Sequence, residues 1–127
     1  MQAWLAVALG GMVGATLRYG ATIAATKTFG HGFPYGTLIV NVAGSFAMGA
    51  LVELMALSWS ASQEARLFLA VGLLGSFTTF STFSLDFYTL YERGAYGLLF
   101  LYALGSFGLS LAGLVLGLAV VRRVIAV

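Results

Sequence analysis

The middle of the chain reads GSFTTFSTFS at residues 75–84. Six of these ten residues are Ser or Thr, and the run lies inside a long apolar segment. A continuous helix tolerates such a run, because Ser and Thr can bond back to the preceding turn. An interrupted helix is the alternative, since irregular backbone is allowed at membrane depth where it lines a cavity. An interruption at Gly75–Thr78 would free carbonyls and amides, and would form a candidate ion site.

The overall composition indicates a membrane protein. Of the 127 residues, 61% are hydrophobic and 8% are charged, and the mean hydropathy is +1.00. Soluble domains carry about 25% charged residues, so the lipid bilayer is the expected solvent. The chain has one histidine, His31, and no cysteine, which excludes thiolate and His-rich metal sites. The net charge of +2 comes without a basic stripe, so no nucleic-acid partner is expected.

The hydropathy pattern predicts four membrane spans, each close to the length of about 20 apolar residues that a bilayer requires. The predicted spans are Ala3–Ala25, Tyr35–Leu57, Ala65–Tyr91 and Tyr96–Val121. Their connections are short, so we expect one all-α, multi-pass domain over residues 1–127. GxxxG pairs in the first and last spans indicate close helix packing, and these pairs are Gly10 with Gly14 and Gly113 with Gly117.

The basic residues show almost no bias between the two sides of the membrane. One side carries Arg66, Arg122 and Arg123, and the other carries Lys27 and Arg93, with Arg18 near it inside the first span. Orientation normally follows an excess of Lys and Arg on the cytoplasmic side. The near tie fits a protein that inserts in both orientations and pairs head to tail. It also fits a weakly biased protein that is oriented by other means.

Two spans carry polar residues at intervals of four, which places each set on one helical face. The sets are Thr37, Asn41 and Ser45 in the second span, and Tyr102, Ser106 and Ser110 in the fourth. Their hydroxyl and amide groups can donate hydrogen bonds to an anion in a narrow path. Such residues also join helices to one another inside lipid, and the sequence leaves both interpretations open.

Three further residues in the spans have two interpretations each. Arg18 is either a charge that draws anions to a vestibule or a side chain that snorkels to the interface. Phe80 and Phe83 share a face, and their electropositive ring edges can assist a small, hard anion. Ordinary packing explains an isolated phenylalanine pair equally well.

Three stretches of the sequence resemble the Fluc, or CrcB-type, fluoride channels. The first is GGMVGATLRY at residues 10–19, and the second is PYGTLIVN at residues 34–41, followed by Gly44 and Phe46. The third is the run at residues 75–84, which is the most specific of the three. The resemblance covers the whole chain in length and in the number of spans.

The resemblance implies an antiparallel, dual-topology homodimer of four-span subunits in which the third helix is broken near its centre. It implies two fluoride pores, each lined by both subunits, and a central structural sodium ion. The expected function is passive, fluoride-selective export of cytoplasmic fluoride across the bacterial inner membrane, with no enzymatic activity.

The resemblance also implies roles for individual residues. The fluoride pathway would comprise Thr37, Asn41, Thr79, Phe80, Phe83, Tyr102, Ser106 and Ser110. Arg18 would lie near a vestibule, and the backbone carbonyls of Gly75 and Thr78 would bind the sodium ion. One position departs from the family pattern, because Asp86 stands where Glu is expected. Its shorter reach would affect ion entry rather than the architecture.

Two other functions compete with this interpretation. A proton-coupled drug exporter of the small four-span type also forms dimers, but it requires a carboxylate within the membrane. The first span has no acidic residue, so Glu53, near the end of the second, would have to serve. A membrane scaffold would explain the glycine packing but would not explain the run of Ser, Thr and Phe residues.

Overall fold

The structure is a computed structural model that describes residues 1–126, and within that range it contains helices and connections but no strand. The elements are α1 Gln2–Phe29, α2 Tyr35–Leu57, α3 Gln63–Arg66, a π-helix Leu67–Leu74, α4 Gly75–Phe77, α5 Phe80–Glu92 and α6 Tyr96–Ala126. The predicted all-α class is confirmed for these residues. Val127, the last residue of the predicted domain, lies outside the described range.

Three helical stretches are long and apolar enough to cross a membrane. They are Tyr35–Leu57, Gln63–Glu92 and Tyr96–Ile125. The helix α1 has sufficient length, at 28 residues, but is not one of these three, and it carries Arg18 in its interior. Large apolar side chains face outward, and Trp4 is 82% exposed and Leu104 71% exposed. Extended apolar surfaces of this kind do not suit water, so the expected membrane environment is confirmed.

Glycines bring α2 and α6 into direct backbone contact. Gly49 of α2 lies against the carbonyl of Leu114, and Gly117 of α6 lies against the carbonyl of Phe46. A Cβ atom at either glycine would collide with the facing main chain. Gly113 faces α2 less closely, since a Cβ there would be 3.2 Å from the carbonyl oxygen of Val42. The close packing predicted from Gly113 and Gly117 is confirmed.

The helix α1 packs equally closely on the π-helix. Gly10 and Gly14 of α1 both lie against the backbone of Leu73. Gly72 faces back toward α1, and a Cβ there would be 2.8 Å from the carbonyl oxygen of Val7. A π-helix is wider than an α-helix and usually lasts a single turn, whereas this one runs for eight residues. Small residues on both sides let α1 approach the wider helix.

The third segment leaves helical geometry at Thr78 and Thr79, whereas Gly75–Phe77, which the sequence placed in the interruption, is helical. The helix α4 ends at Phe77, and α5 begins at Phe80. Between them Thr78 has φ −88° and ψ 159°, and Thr79 has φ −153° and ψ 123°, which are extended conformations. Gly44 of α2 lies against the methyl group of Thr78. The glycine therefore makes room for Thr78 and for the ring of Phe77.

A small apolar core joins α5 to α6 near the turn between them. Leu90, Leu99 and Tyr102 are buried there, and Phe33, Leu38, Phe83 and Ala95 pack against them. The turn contains Gly94 at φ 69°, a backbone conformation that favours glycine. This core fixes the position of Tyr102 relative to α5. Tyr102 is the first of the polar residues that follow one another at intervals of four along α6.

We predict that Gly14→Ala destabilises the protein. The added Cβ would collide with the main-chain carbonyl of Leu73, which cannot rotate away, so α1 must separate from the π-helix. Overpacking of this kind costs about 1–3 kcal/mol, and the midpoint of thermal unfolding in detergent should fall. Gly97→Ala in α6 is the matched control, because nothing lies within 4 Å of its added Cβ. Equal midpoints for the two variants would contradict the described contact.

Candidate functional site

A cavity of about 340 Å³ opens beside the two extended residues, between α2, α5 and α6. We call it the central cavity, and it is lined by Asn41, Ser45, Thr78, Thr79, Phe80, Phe83, Ser106, Phe107, Ser110 and Leu111. Most of the predicted pathway residues therefore meet at one place, although they come from three separate parts of the chain. The predicted pathway residues that line the central cavity are Asn41, Thr79, Phe80, Phe83, Ser106 and Ser110.

Ser106, in the wall of the central cavity, has an unsatisfied hydroxyl. Its side chain is buried, with 7% of the residue exposed, and no group of the described residues bonds to its Oγ. A buried polar group without a partner costs about 1–3 kcal/mol. Ser110 lies one helical turn farther along the same wall. The wall therefore contains a buried hydroxyl that has no partner among the described residues.

Two phenylalanine rings form the α5 side of the central cavity. The ring centroids of Phe80 and Phe83 are 5.5 Å apart, and their planes meet at 40°. Phe83 also contacts the ring of Tyr102, with centroids 5.1 Å apart, so its position is fixed by packing. Phe80 is 78% exposed in the single chain. The cavity thus has aromatic rings on one side and residues with hydroxyl groups on the other.

The side-chain amide of Asn41 binds the backbone of the extended segment through both its nitrogen and its oxygen. The Nδ2 atom donates to the carbonyl of Thr79 at 3.1 Å, and the Oδ1 atom accepts from the amide of Thr79 at 2.8 Å. The side chain thus pairs with Thr79 as a neighbouring strand would. Sequence left two roles open for Asn41, an interhelical bond or an anion ligand, and the interhelical bond is present here. One Nδ2 hydrogen remains for a second partner.

Two carbonyls of the third segment lose the donors that a continuous helix would give them. The amide of Thr79, the helical donor for Gly75, binds Asn41 instead. The amide of Thr82, the helical donor for Thr78, binds Thr79 Oγ1 at 3.2 Å as the N-terminal cap of α5. Oxygen ligands of this type suit a hard cation, and unwound carbonyls bind sodium in transporters. The carbonyls of Gly75 and Thr78 therefore fit the sodium site that the resemblance implies.

Arg18 binds the same part of the backbone from α1. Its Nε atom donates to the carbonyl of Ser76 at 3.0 Å, and the contact is partly buried. Sequence offered a vestibule charge or a snorkelling side chain for Arg18. The structure adds a specific partner that is 58 positions away in the chain.

Thr37 and Tyr102 lie outside the central cavity, and both bind Asp86. Thr37 Oγ1 donates to Asp86 Oδ2 at 2.7 Å, and the Tyr102 hydroxyl donates to the same oxygen at 3.0 Å. Tyr102 is fully buried. The carboxylate of Asp86 joins α2, α5 and α6. Of the predicted pathway residues, these two are the ones that the structure places elsewhere.

A second cavity, of about 230 Å³, lies between α1, α2 and α5. We call it the polar cavity, and its wall includes Thr22, Thr26, His31, Thr37, Thr82, Asp86, Thr89 and Arg93. Tyr102 contacts Phe83 of the central cavity and bonds to Asp86 of the polar cavity. Tyr102 therefore links the walls of the two cavities. A second link is the hydrogen bond from Thr79 Oγ1 to Thr82 Oγ1 at 3.2 Å.

The predicted site lacked three residues that line the central cavity, namely Ser45, Phe107 and Leu111. Ser45 follows Asn41 by one helical turn and lines the same wall, so its spacing was the available signal. Phe107 follows Ser106 and also faces the cavity. A phenylalanine in an apolar helix carries no pattern that marks it, and only the structure identifies it.

Glu53 forms an ion pair with Arg122. Its carboxylate is buried, and Oε2 accepts from Arg122 Nη2 at 2.6 Å and from Nε at 2.9 Å. A buried acid that is paired in this way has a structural role in joining α2 to α6. A drug exporter would need Glu53 as a free carboxylate in the substrate path, so the ion pair argues against that alternative.

We predict that Asn41→Ala lowers stability more than Ser45→Ala does. Asn41→Ala leaves both backbone groups of Thr79 without partners, at about 1–3 kcal/mol for each group that becomes unsatisfied. Ser45→Ala changes the same cavity wall one turn away and serves as the control. Thermal unfolding in detergent measures both. Identical midpoints would mean that the Asn41–Thr79 pair does not hold the extended segment.

Comparison with known proteins identifies the family. Residues 5–118 match the family described as "CrcB-like protein, Camphor Resistance (CrcB)". "Fluoride-specific ion channel FluC" of Cereibacter sphaeroides is 53% identical over 118 residues, which is 93% of each chain. "Fluoride-specific ion channel FluC 2" of Nitrobacter hamburgensis is 48% identical over 120 residues, covering 94% of this chain and 97% of that protein. The protein named FluC in Rhodospirillum centenum is 49% identical over 126 residues, or 99% and 100% of the two chains. The chain described here therefore belongs to the CrcB-like family, the one that its three sequence motifs resemble.

Proposed function

We propose that this protein is a fluoride-selective ion channel that lets cytoplasmic fluoride leave the cell passively across the bacterial inner membrane. The relatives at about 50% identity carry the name of fluoride-specific ion channels, and their family is one of channels rather than enzymes. The observation that carries the proposal is the buried, unpartnered hydroxyl of Ser106 in the wall of the central cavity.

The chemistry of the central cavity supports an anion as its occupant. An ion in a narrow path must regain its hydration energy from groups in the wall. Ser106 and Ser110 can donate hydroxyl hydrogens, and Asn41 keeps one amide hydrogen. The ring edges of Phe80 and Phe83 carry partial positive charge, which would repel a cation. No ionised side chain appears in the wall among the described residues, so the ion is held moderately and can leave again.

We assign Thr79 to the central part of the pathway, and Thr37 and Tyr102 to its approach. Thr79 lines the central cavity, whereas Thr37 lines the polar cavity and Tyr102 joins the two. A polar cavity with Asp86 and Arg93 in its wall has no net charge from these two groups. Hydrated ions would meet it before they lose water at the Phe83 ring.

A second copy of the chain would complete the site. The central cavity is open on one side, and Phe80 in its wall is 78% exposed. Gly75 and Val71 on the same third segment are also exposed. We propose an antiparallel homodimer of four-span subunits, with α1 as the fourth span, that encloses two pores. The near tie of basic residues on the two sides supports the antiparallel arrangement.

A sodium ion at the centre of the dimer is part of the proposal. The carbonyls of Gly75 and Thr78 would hold it, because their helical donors bind Asn41 and Thr79 instead. When bound, the ion would supply positive charge at the C-terminal end of α4, where the helix dipole is negative. Within the described residues, no group of three His, Cys, Asp or Glu side chains forms a competing metal site.

We predict that liposomes containing the protein release fluoride but not chloride. Vesicles loaded with potassium fluoride or potassium chloride receive valinomycin, and an electrode follows the external anion. Ser106→Ala should slow fluoride release about tenfold or more, because a hydrogen bond to a charged group contributes about 1.5–3 kcal/mol. Phe80→Ile should abolish release by removing an aromatic edge from the wall.

Ser60→Ala is the matched control for this experiment, since Ser60 lies in the exposed connection between α2 and α3. It should release fluoride as the unmodified protein does. Absence of fluoride release from well-folded dimers would overturn the proposal, and equal release of chloride would overturn the selectivity.

We predict that each connection between helices lies outside the cell in about half of the chains and inside it in the other half. The chain has no cysteine, so Gly32→Cys and Ser60→Cys place single reporters in successive connections. In intact bacterial cells, an impermeant maleimide should label about half of each variant, as expected for insertion in both orientations. Complete labelling of one variant and none of the other would contradict the antiparallel dimer.

A further inference from the structure

The side chain of Arg18 ends a row of contacts between α1 and the first half of the third segment. Gly10, Gly14 and Arg18 follow at intervals of four and share one face of α1. The two glycines bring α1 onto the backbone of Leu73, and one turn later Arg18 reaches the carbonyl of Ser76. We propose that Arg18 is a positioning residue that replaces the missing backbone donor of Ser76 and so determines which carbonyls of the interruption stay free.

The need for a replacement donor follows from the backbone. In a continuous helix the carbonyl of Ser76 would accept from the amide of Phe80. Two extended residues, Thr78 and Thr79, lie between them and direct Phe80 into a new helix. Inside a membrane no water takes the place of the lost amide, and each unsatisfied backbone group costs several kcal/mol. Arg18 Nε, at 3.0 Å, supplies the bond.

A guanidinium suits this place better than a neutral donor. Ser76 belongs to α4, and the carbonyls at the C-terminal end of a helix carry partial negative charge. Hydrogen bonds with one charged partner are stronger than those between neutral groups. The charge is also costly at membrane depth unless it finds a partner. The contact therefore lowers the cost of placing Arg18 in α1 as well as the cost of the interruption.

As a consequence, neighbouring carbonyls of the interruption differ in whether they have a hydrogen-bond donor. Arg18 occupies Ser76, while Asn41 and Thr79 divert the amides that would otherwise bind Gly75 and Thr78. The carbonyls of Gly75 and Thr78 thus lack their helical donors, whereas that of Ser76 has a replacement. The link from this arrangement to a bound sodium ion rests on the proposed function, but the bracing of Ser76 by Arg18 does not.

Three substitutions of Arg18 distinguish the effect of its hydrogen-bond donor from the effect of its charge. Arg18→Gln keeps an uncharged N–H donor on a shorter side chain, Arg18→Lys keeps the charge without the planar guanidinium, and Arg18→Met removes both. The matched control is Arg66→Met. Arg66 also donates its Nε to a backbone carbonyl, that of Ala61 at 3.2 Å, but in an exposed connection away from the cavity.

The first measurement is hydrogen–deuterium exchange of the purified protein in detergent, read on the peptide that covers residues 75–82. Arg18→Met should speed exchange there about tenfold, as expected for loss of a charge-assisted hydrogen bond. Arg66→Met should leave it unchanged, and Arg18→Gln should restore part of the protection. Unchanged exchange in Arg18→Met would overturn the proposal. This readout needs no transport, so it stands even if the protein conducts no fluoride.

The second measurement is the dependence of fluoride release on sodium concentration. If Arg18 selects the free carbonyls, Arg18→Met should raise the sodium concentration that gives half-maximal release, and Arg18→Gln should raise it less. A role as a simple vestibule charge predicts a different result, in which Arg18→Lys retains full release and the sodium dependence never moves. That result would overturn the positioning role.

Discussion

An interrupted helix inside a bilayer must find new partners for the backbone groups that it frees, and this structure depends on how it does so. Asn41 binds both backbone groups of Thr79, Thr79 caps α5, and Arg18 binds Ser76. These bonds come from α1, α2 and the third segment itself, so the interruption is fixed from several directions. The glycines serve the same end, because Gly14 and Gly44 bring the supporting helices close enough to reach it.

The class of the fold could be predicted from composition and hydropathy, because four long apolar stretches with few charges permit little besides helices in lipid. The bounds of the third segment were nearly correct, at Ala65–Tyr91 predicted against Gln63–Glu92 found. The π-helix at Leu67–Leu74 could not be predicted. Its sequence is uniformly apolar, and such a run suits an α-helix as well as the wider helix that packs on Gly10 and Gly14.

Much of the site followed from spacing, and the exceptions have physical causes. Ser106 and Ser110 share a face of α6 and line the central cavity together. Tyr102 belongs to the same face, yet its hydroxyl binds Asp86 on α5, a partner that the spacing of α6 alone does not contain. Asn41 shows a similar limit, since the identity of its partner depends on two extended residues in another segment. The roles of these residues in conduction remain predictions.

The ion pair between Glu53 and Arg122 bears on how the chain is made. The two residues are 69 positions apart, so Glu53 is synthesised well before Arg122. At about 5–20 residues per second this interval lasts roughly 3–14 s. During that time α2 carries a carboxylate whose partner does not yet exist. The ion pair between α2 and α6 can therefore form only after the chain has been made as far as Arg122.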